Sequence, residues 1–167
     1  MKVDIDISRV YDMHAARLYN IGLRILGDEA DAEEIMHDTL LKYHSYRKKG
    51  EITDLAKWLS SICIRKAIDK LRERHRYTGF LSRYAETSED IHEEELPEEL
   101  TVDRIKAALK SLPDHYRLIL TLHLFEGFDY QEMSHITGQK ESSIRSLYLR
   151  GKNKLAETLK EQMKWTD

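Results

Sequence analysis

The residues of this 167-residue chain best suited to chemistry lie in one run, Glu141-Ser142-Ser143-Ile144-Arg145-Ser146-Leu147-Tyr148-Leu149-Arg150-Gly151-Lys152. Ile144, Tyr148, Gly151 and Leu155 recur at helical spacing and predict an inward face, leaving Ser142, Ser143, Arg145, Ser146, Leu149 and Lys152 outward. A short, hydroxylated and basic helix face suits the major groove of duplex DNA. Serines and the helix N-terminus can hold phosphates there, and Arg145 can reach a guanine edge. Leu149, and less strongly Leu147, reads as an exposed apolar residue that either touches thymine methyl groups or packs in a helical hairpin.

Such a helix needs a partner to aim it. Residues 130–136 predict a short helix, Gly138 the sharp turn and residues 141 to about 159 the second helix, so 130–155 reads as a helix-turn-helix. Upstream, Val102, Ile105, Leu109 and Leu112 mark a helix that ends at the Leu112-Pro113 step. Pro113 suits the first turn of the next helix, which Ile119, Leu122 and Leu124 carry to Gly127. The C-terminal part is therefore expected to be a four-helix bundle of a DNA-binding type.

A second candidate site lies on a helix predicted from about 54 to 76, where Trp58, Arg65, Asp69, Arg72 and Arg76 form a narrow stripe. Leu55, Leu59, Ile62, Cys63 and Ala67 lie opposite or beside it. An aromatic among arginines either tracks a nucleic-acid backbone while stacking an unpaired base, or is a core residue beneath a solvated basic face. The loop residues Arg47, Lys48 and Lys49 add positive charge beside it.

Two more helices should precede that one. Leu18, Ile21, Gly22 and Ile25 fall at offsets of zero, three, four and seven and stop at Gly27. Asp28 then serves as N-cap, with Glu29 and Asp31 in the first turn and Ala32, Ile35, Met36, Thr39, Leu40 and Tyr43 as the apolar stripe. Asp28, Glu29, Asp31, Glu33, Glu34 and Asp38 are unrelieved by any Lys or Arg before Lys42, so this helix should repel DNA. With Leu41 and Met36 exposed at its borders, it is either a protein-docking face or a plain solvated one.

Between these parts, Glu86, Glu89, Asp90, Glu93, Glu94, Glu95, Glu98 and Glu99 occur without a Lys or Arg, and Pro97 interrupts them. This reads as an extended or disordered acidic tether of roughly 20 residues, or else as a solvated helix face. The net charge of −3 averages over these opposed segments and so excludes nothing about nucleic acid. Only seven Gly and two Pro favour helices, and the expected fold is all-α, as two small helical domains joined by a flexible acidic linker. Boundaries fall at 1–78, 79–101 and 102–167.

Cys63 stands alone, which excludes an internal disulfide and a cysteine zinc site and implies a reducing cytoplasm. No apolar run approaches the roughly 20 residues that span a bilayer, and MKVDIDIS lacks a basic start before an apolar stretch. A cytoplasmic protein without membrane insertion is expected. The eight His lack metal-ligand spacing, and no nucleophile triad or phosphate loop is visible, so neither an enzyme nor a cofactor is expected.

Two blocks carry a wider resemblance: LYNIGLRILGDEADAEEIMHDTLLKYH followed by WLSSICIRKAIDKLRERHR, and LKSLPDHYRLILTLHLFEGFDYQEMSHITGQKESSIRSLYLRGKNKL. In order and spacing the chain resembles the sigma-70 family, specifically the short extracytoplasmic-function (ECF) sigma factors of bacterial RNA polymerase. The resemblance implies sigma region 2 over 1–78 and sigma region 4 over 102–167. It implies that Asp31, Glu33, Glu34, His37, Asp38 and Leu41 dock on the clamp helices of the polymerase largest subunit. Loop 46–53 with Arg47, Lys48 and Lys49, together with Trp58, Arg65, Asp69, Arg72 and Arg76, would capture the −10 element and hold its melted strand. Residues 142–150, including Arg150, together with Lys152 would read the −35 element, with Arg117 and Tyr130 near phosphates.

The linker would thread toward the RNA exit path, the polymerase flap would be a further contact, and an anti-sigma factor a further partner. Arg65 stands where an Asn is usual and Leu147 where a basic residue is usual, which leaves promoter preference open. A free-standing helix-turn-helix regulator is the alternative. It would need a dimer interface or effector pocket, and neither is evident in the linker or the N-terminal unit.

Overall fold

The computed structural model describes residues 6–76, 81 and 91–164, and these form seven α-helices with no strand among them. The chain divides into two compact units, Met1–Leu71 and Arg72–Asp167.

In the first unit, α1 (Ile7–Leu26) begins where the Asp6 carboxylate accepts from the Ser8 amide at 3.4 Å. It stops at Gly27, whose φ of 68° is the left-handed conformation that a side chain disfavours. Helix α2 (Glu29–Tyr46) starts at once, because the Asp28 carboxylate accepts from the Asp31 amide at 2.9 Å. The abrupt cap-to-cap junction folds α2 back against α1. Helix α3 (Leu55–Arg74) is opened by Asp54, which accepts from the Lys57 amide at 3.1 Å.

Leu18, Ile21, Ile25, Ile35, Leu40, Leu59, Cys63, Ile64 and Ala67 are buried, and the Cys63 thiol donates to the Leu18 carbonyl at 3.5 Å. The inward face of α3 is rotated from the expected one: Ile64, Ile68 and Leu71 are buried, while Leu55 and Ile62 are half-buried. Met36, expected at an exposed border, is only 6% exposed. It belongs to the apolar stripe of α2, whose phase through Ile35 and Leu40 turns it inward.

Close packing of α1 on α2 depends on Gly22, where an added Cβ would stand 3.2 Å from the Ala32 Cα. A backbone atom cannot step aside as a flexible side chain can. Gly22→Val is expected to lower the stability of this unit by about 1 to 2 kcal/mol, read as a lower urea midpoint at unchanged slope.

The second unit holds α4 (Val102–Lys110), capped by Thr101, and α5 (Asp114–Leu120), which runs into a π-helical turn at Thr121–Phe125. Gly127, at φ 71°, ends this stretch. Helices α6 (Tyr130–Thr137) and α7 (Glu141–Lys164) follow, and Ala108, Leu109, Leu118, Ile119, Leu122, Met133, Ile144, Leu155 and Leu159 form the core. The π turn carries an extra residue and so shifts the helical phase. Leu124, one of the apolar residues that carry this stretch to Gly127, is turned out and is 40% exposed.

The last turn of α3, from Arg72, belongs to the second unit. Of the acidic segment, Glu86, Glu89 and Asp90 lie outside the described residues, and residues 91–100 are without helix or strand.

Candidate nucleic-acid interface

The helix-turn-helix is built from short-range bonds. Asp129 and Glu132 form a reciprocal capping box at the start of α6: the Asp129 carboxylate accepts from the Glu132 amide at 2.7 Å, and Glu132 accepts from the Asp129 amide at 2.9 Å. Gly138, at φ 74°, closes α6 in the left-handed conformation. Ser134 donates its hydroxyl to the Gln139 carbonyl, and the Thr137 hydroxyl donates to Met133 O at 2.7 Å. The turn is thereby fixed, and with it the direction of α7.

Helix α7 presents Glu141, Ser142 and Arg145 as exposed residues, with Ser143, Ser146, Leu149, Arg150 and Lys152 half-buried along the same region. Arg145 is braced: its guanidinium carbon lies 5.0 Å from the Tyr130 ring centre. Tyr130 in turn stacks on His123 at 5.2 Å with the planes 5° apart, and both rings meet Tyr148 edge-on at 6.0 and 4.4 Å. His123 Nδ1 is 2.7 Å from the Phe128 carbonyl, a bond that fixes the imidazole plane if that nitrogen carries the proton. Burial holds the Tyr130 and Tyr148 phenols above their usual range, so both stay neutral.

In the first unit, Glu33, Glu34, His37, Asp38 and Leu41 are exposed on α2 and Asp31 is half-buried. Lys70 of α3 lies 2.6 Å from Glu34 and 3.6 Å from Asp31. His37 sits 3.6 Å from Glu33 and stacks on Tyr11 with ring centres 6.1 Å apart. Trp58 is half-buried, edge-on to Tyr43 at 6.2 Å and tilted against Tyr46 at 5.3 Å. It is thus neither a bare platform nor a core residue, but the half-buried member of an aromatic trio, between buried Tyr43 and exposed Tyr46. Arg65 and Asp69 are exposed on α3, with Lys48 and Lys49 exposed and Arg47 half-buried in the loop after α2.

Residues 10–77 match the family described as Sigma-70 region 2, and residues 103–155 match Sigma-70, region 4. The chain belongs to the sigma-70 family. It is 28% identical over 155 residues to the ECF RNA polymerase sigma factor SigE of Mycolicibacterium smegmatis, covering 87% of this chain and 58% of that relative's length. It is 26% identical to the ECF RNA polymerase sigma factor SigM of Bacillus subtilis, covering 89% of this chain and 92% of SigM. Among solved structures it is similar to the sigma factor RpoE of Bartonella quintana, in complex with the anti-sigma factor NepR. The TM-score is 0.61 and the identity 25%, over 93% of this chain and 97% of that one. These relatives place the chain among the ECF sigma factors, which act in transcription initiation.

Burial decides one open reading in this sigma factor, Leu147, and places one expected site residue, Arg117, otherwise. Leu147 is fully buried, so its departure from the family pattern changes the packing of α7 and not its outer face. Arg117, expected near phosphates, is 7% exposed and bonds inward to the Leu112 carbonyl and the Asp114 carboxylate. Arg74 also reaches Asp114, at 3.2 Å, as does His75, at 2.8 Å. Arg117 is thus a buried strut, its guanidinium turned inward to a main-chain carbonyl and a carboxylate and away from solvent. Arg72 is half-buried and donates to the Thr137 carbonyl at 3.4 Å, while Arg76 is exposed with φ at 50°.

Burial works against the charge of Asp114, yet the bond from His75 and the charges of Arg117 and Arg74 outweigh it and hold the carboxyl below its usual range. Its contribution to stability is present above the ordinary carboxylate pKa and is lost only in stronger acid. His115 behaves differently: burial, and then the Arg150 charge, lower its imidazole to about 4 from an ordinary 6.5. As the pH falls through that window the unfolded chain gains a proton that the folded unit refuses, so stability is lost. A loss on the order of 1 to 2 kcal/mol between pH 6.5 and 4.5 is expected in urea titrations followed by NMR signals of region 4, with a flatter profile for His115→Gln.

Sequence reasoning missed His123, Lys70 and the Asp114 cluster, because each acts across a turn or between helices where no periodicity signals it. Among the described residues no helix is long and apolar enough to cross a membrane, and no group of three or more His, Cys, Asp or Glu could hold a metal ion.

Proposed function

We propose that this sigma factor is a dissociable specificity subunit. In this reading region 2, over 1–78, docks core RNA polymerase through the acidic face of α2 at its clamp helices. The basic face of α3 and loop 46–53 hold the −10 element and its melted strand, while α7 of region 4 reads the −35 element and the polymerase flap holds that region. The residues proposed at the −10 element are Arg47, Lys48, Lys49, Trp58, Arg65 and Asp69, with Arg72 and Arg76 at the margin. The residues proposed at the −35 element are Ser142, Ser143, Arg145, Ser146, Leu149, Arg150 and Lys152, with Tyr130 as the brace. The chain works in the cytoplasm, without catalysis of its own, and an anti-sigma factor is a further proposed partner, as NepR is for the Bartonella protein.

The observation that carries this reading is Arg145: exposed at the start of α7, held over Tyr130 and flanked by serines, in a chain whose other unit turns carboxylates outward. A helix that weakly basic does not hold DNA well alone, which favours a subunit with two grips over a free-standing regulator. Run-off transcription with core polymerase tests it. A promoter-dependent transcript that requires the protein is expected, and its absence at saturating protein would overturn the reading.

A further inference from the structure

The described part of the acidic segment lies along the reading helix itself. The Glu93 carboxylate is 2.6 Å from Lys152 Nζ. The Glu94 amide donates to Asn153 Oδ1 at 2.8 Å, and Asn153 Nδ2 donates back to the His92 carbonyl at 2.6 Å. Lys160 reaches Glu94 at 3.4 Å. The two main-chain bonds to one Asn side chain fix the register of the segment, so Glu93 meets Lys152 by placement and not by loose attraction. Lys152 is left with 17% of its side chain exposed.

We infer that residues 92–94 are a built-in competitor for DNA, the Glu93 carboxylate occupying on Lys152 the place that a backbone phosphate takes when α7 enters the groove. The inference rests on reading α7 as the DNA helix. A carboxylate and a phosphate present the same chemistry to an ammonium: anionic oxygens at hydrogen-bond distance. The hydrogen bond to Lys152 holds the Glu93 carboxyl below its usual range, and the same bond holds Lys152 above its own, so the pair stays charged across the neutral range. Salt, and not pH, therefore governs the exchange. Because Glu93 is 54% exposed, the competition is modest and reversible. It suppresses non-specific DNA binding by the free subunit.

The full chain can be titrated against a fluorescent promoter duplex and a random duplex at about 0.1 M salt. Glu93→Gln with Glu94→Gln, and separately Asn153→Ala, are expected to tighten binding about 3- to 10-fold. Glu98→Gln with Glu99→Gln removes as much charge from residues without a bond to α7, and is expected to change binding less than about 2-fold. Equal tightening by that control would reduce the effect to repulsion by any acidic tether and overturn the inference. No tightening in the 93/94 and 153 variants, while Arg145→Ala still weakens binding, overturns the inference and leaves α7 as the reader. Binding that ignores every variant, Arg145→Ala included, overturns both.

Discussion

Arg145→Ala is expected to flatten base preference at one position of the upstream promoter element, at a cost of about 1 to 3 kcal/mol or roughly 5- to 150-fold in discrimination. The size follows from what an arginine fork does at a guanine edge, where two parallel N–H bonds are lost at once and the wrong base leaves both donors unpaired. The fold should not change, because Arg145 is exposed and the rings beneath it hold one another: Tyr130 keeps its stacking on His123 whether or not a guanidinium lies above. Lys152→Ala supplies the contrast. It should lower affinity evenly across sequences and reduce the dependence of log K on log salt by about one, as a phosphate contact does. The measurement is transcription, or binding by the holoenzyme, over all single base-pair variants of the element. A ranking of bases identical to that of the unaltered protein would mean that Arg145 does not enter the groove. Tyr130→Ala should act in the same direction but more weakly, since it loosens the arginine without removing it.

How far the chain could be read in advance depended on whether a feature was local. The junction of Gly27 and Asp28 was legible because a left-handed glycine followed by a capping carboxylate leaves few other conformations open. Gly138 was legible for the same reason, and the spacing of Ile144, Tyr148, Gly151 and Leu155 placed all four in the core. Leu147 was left open between groove and core, and the core reading holds: it stands three residues after Ile144 and four before Gly151, on the same face of α7. The π turn at Thr121–Phe125 was not legible, because a 3.6-residue period carries no sign of one inserted residue. Arg117 looked like surface charge until Asp114, three residues before it, was seen to take its guanidinium. Glu93 looked like one carboxylate among eight, and its value lies in the register that Asn153 gives it, a contact across 59 residues.

Glu33→Lys with Asp38→Lys is expected to cost several kcal/mol in core polymerase binding, a loss of at least about 100-fold, with region 4 untouched. The choice of residues is dictated by what lies behind them. Glu34 and Asp31 share the ammonium of Lys70, so a lysine at 34 would set like charges against each other between α2 and α3, and lost binding could then reflect a loosened unit. Glu33 and Asp38 are exposed, and the bond 3.6 Å long from Glu33 goes only to His37 on the same helix, so reversal there leaves the packing of α2 intact. Leu41, 65% exposed, lies one turn beyond His37 and Asp38 and offers the apolar centre that a rim of carboxylates would surround. If the face docks, Leu41→Ala should weaken assembly through faster dissociation, and the charge reversal should act mainly on the association rate and its salt dependence. Competition against the unaltered protein for core polymerase separates these effects. Unchanged thermal unfolding together with wild-type holoenzyme formation by the double variant would remove α2 from the interface and send the search to another face of region 2.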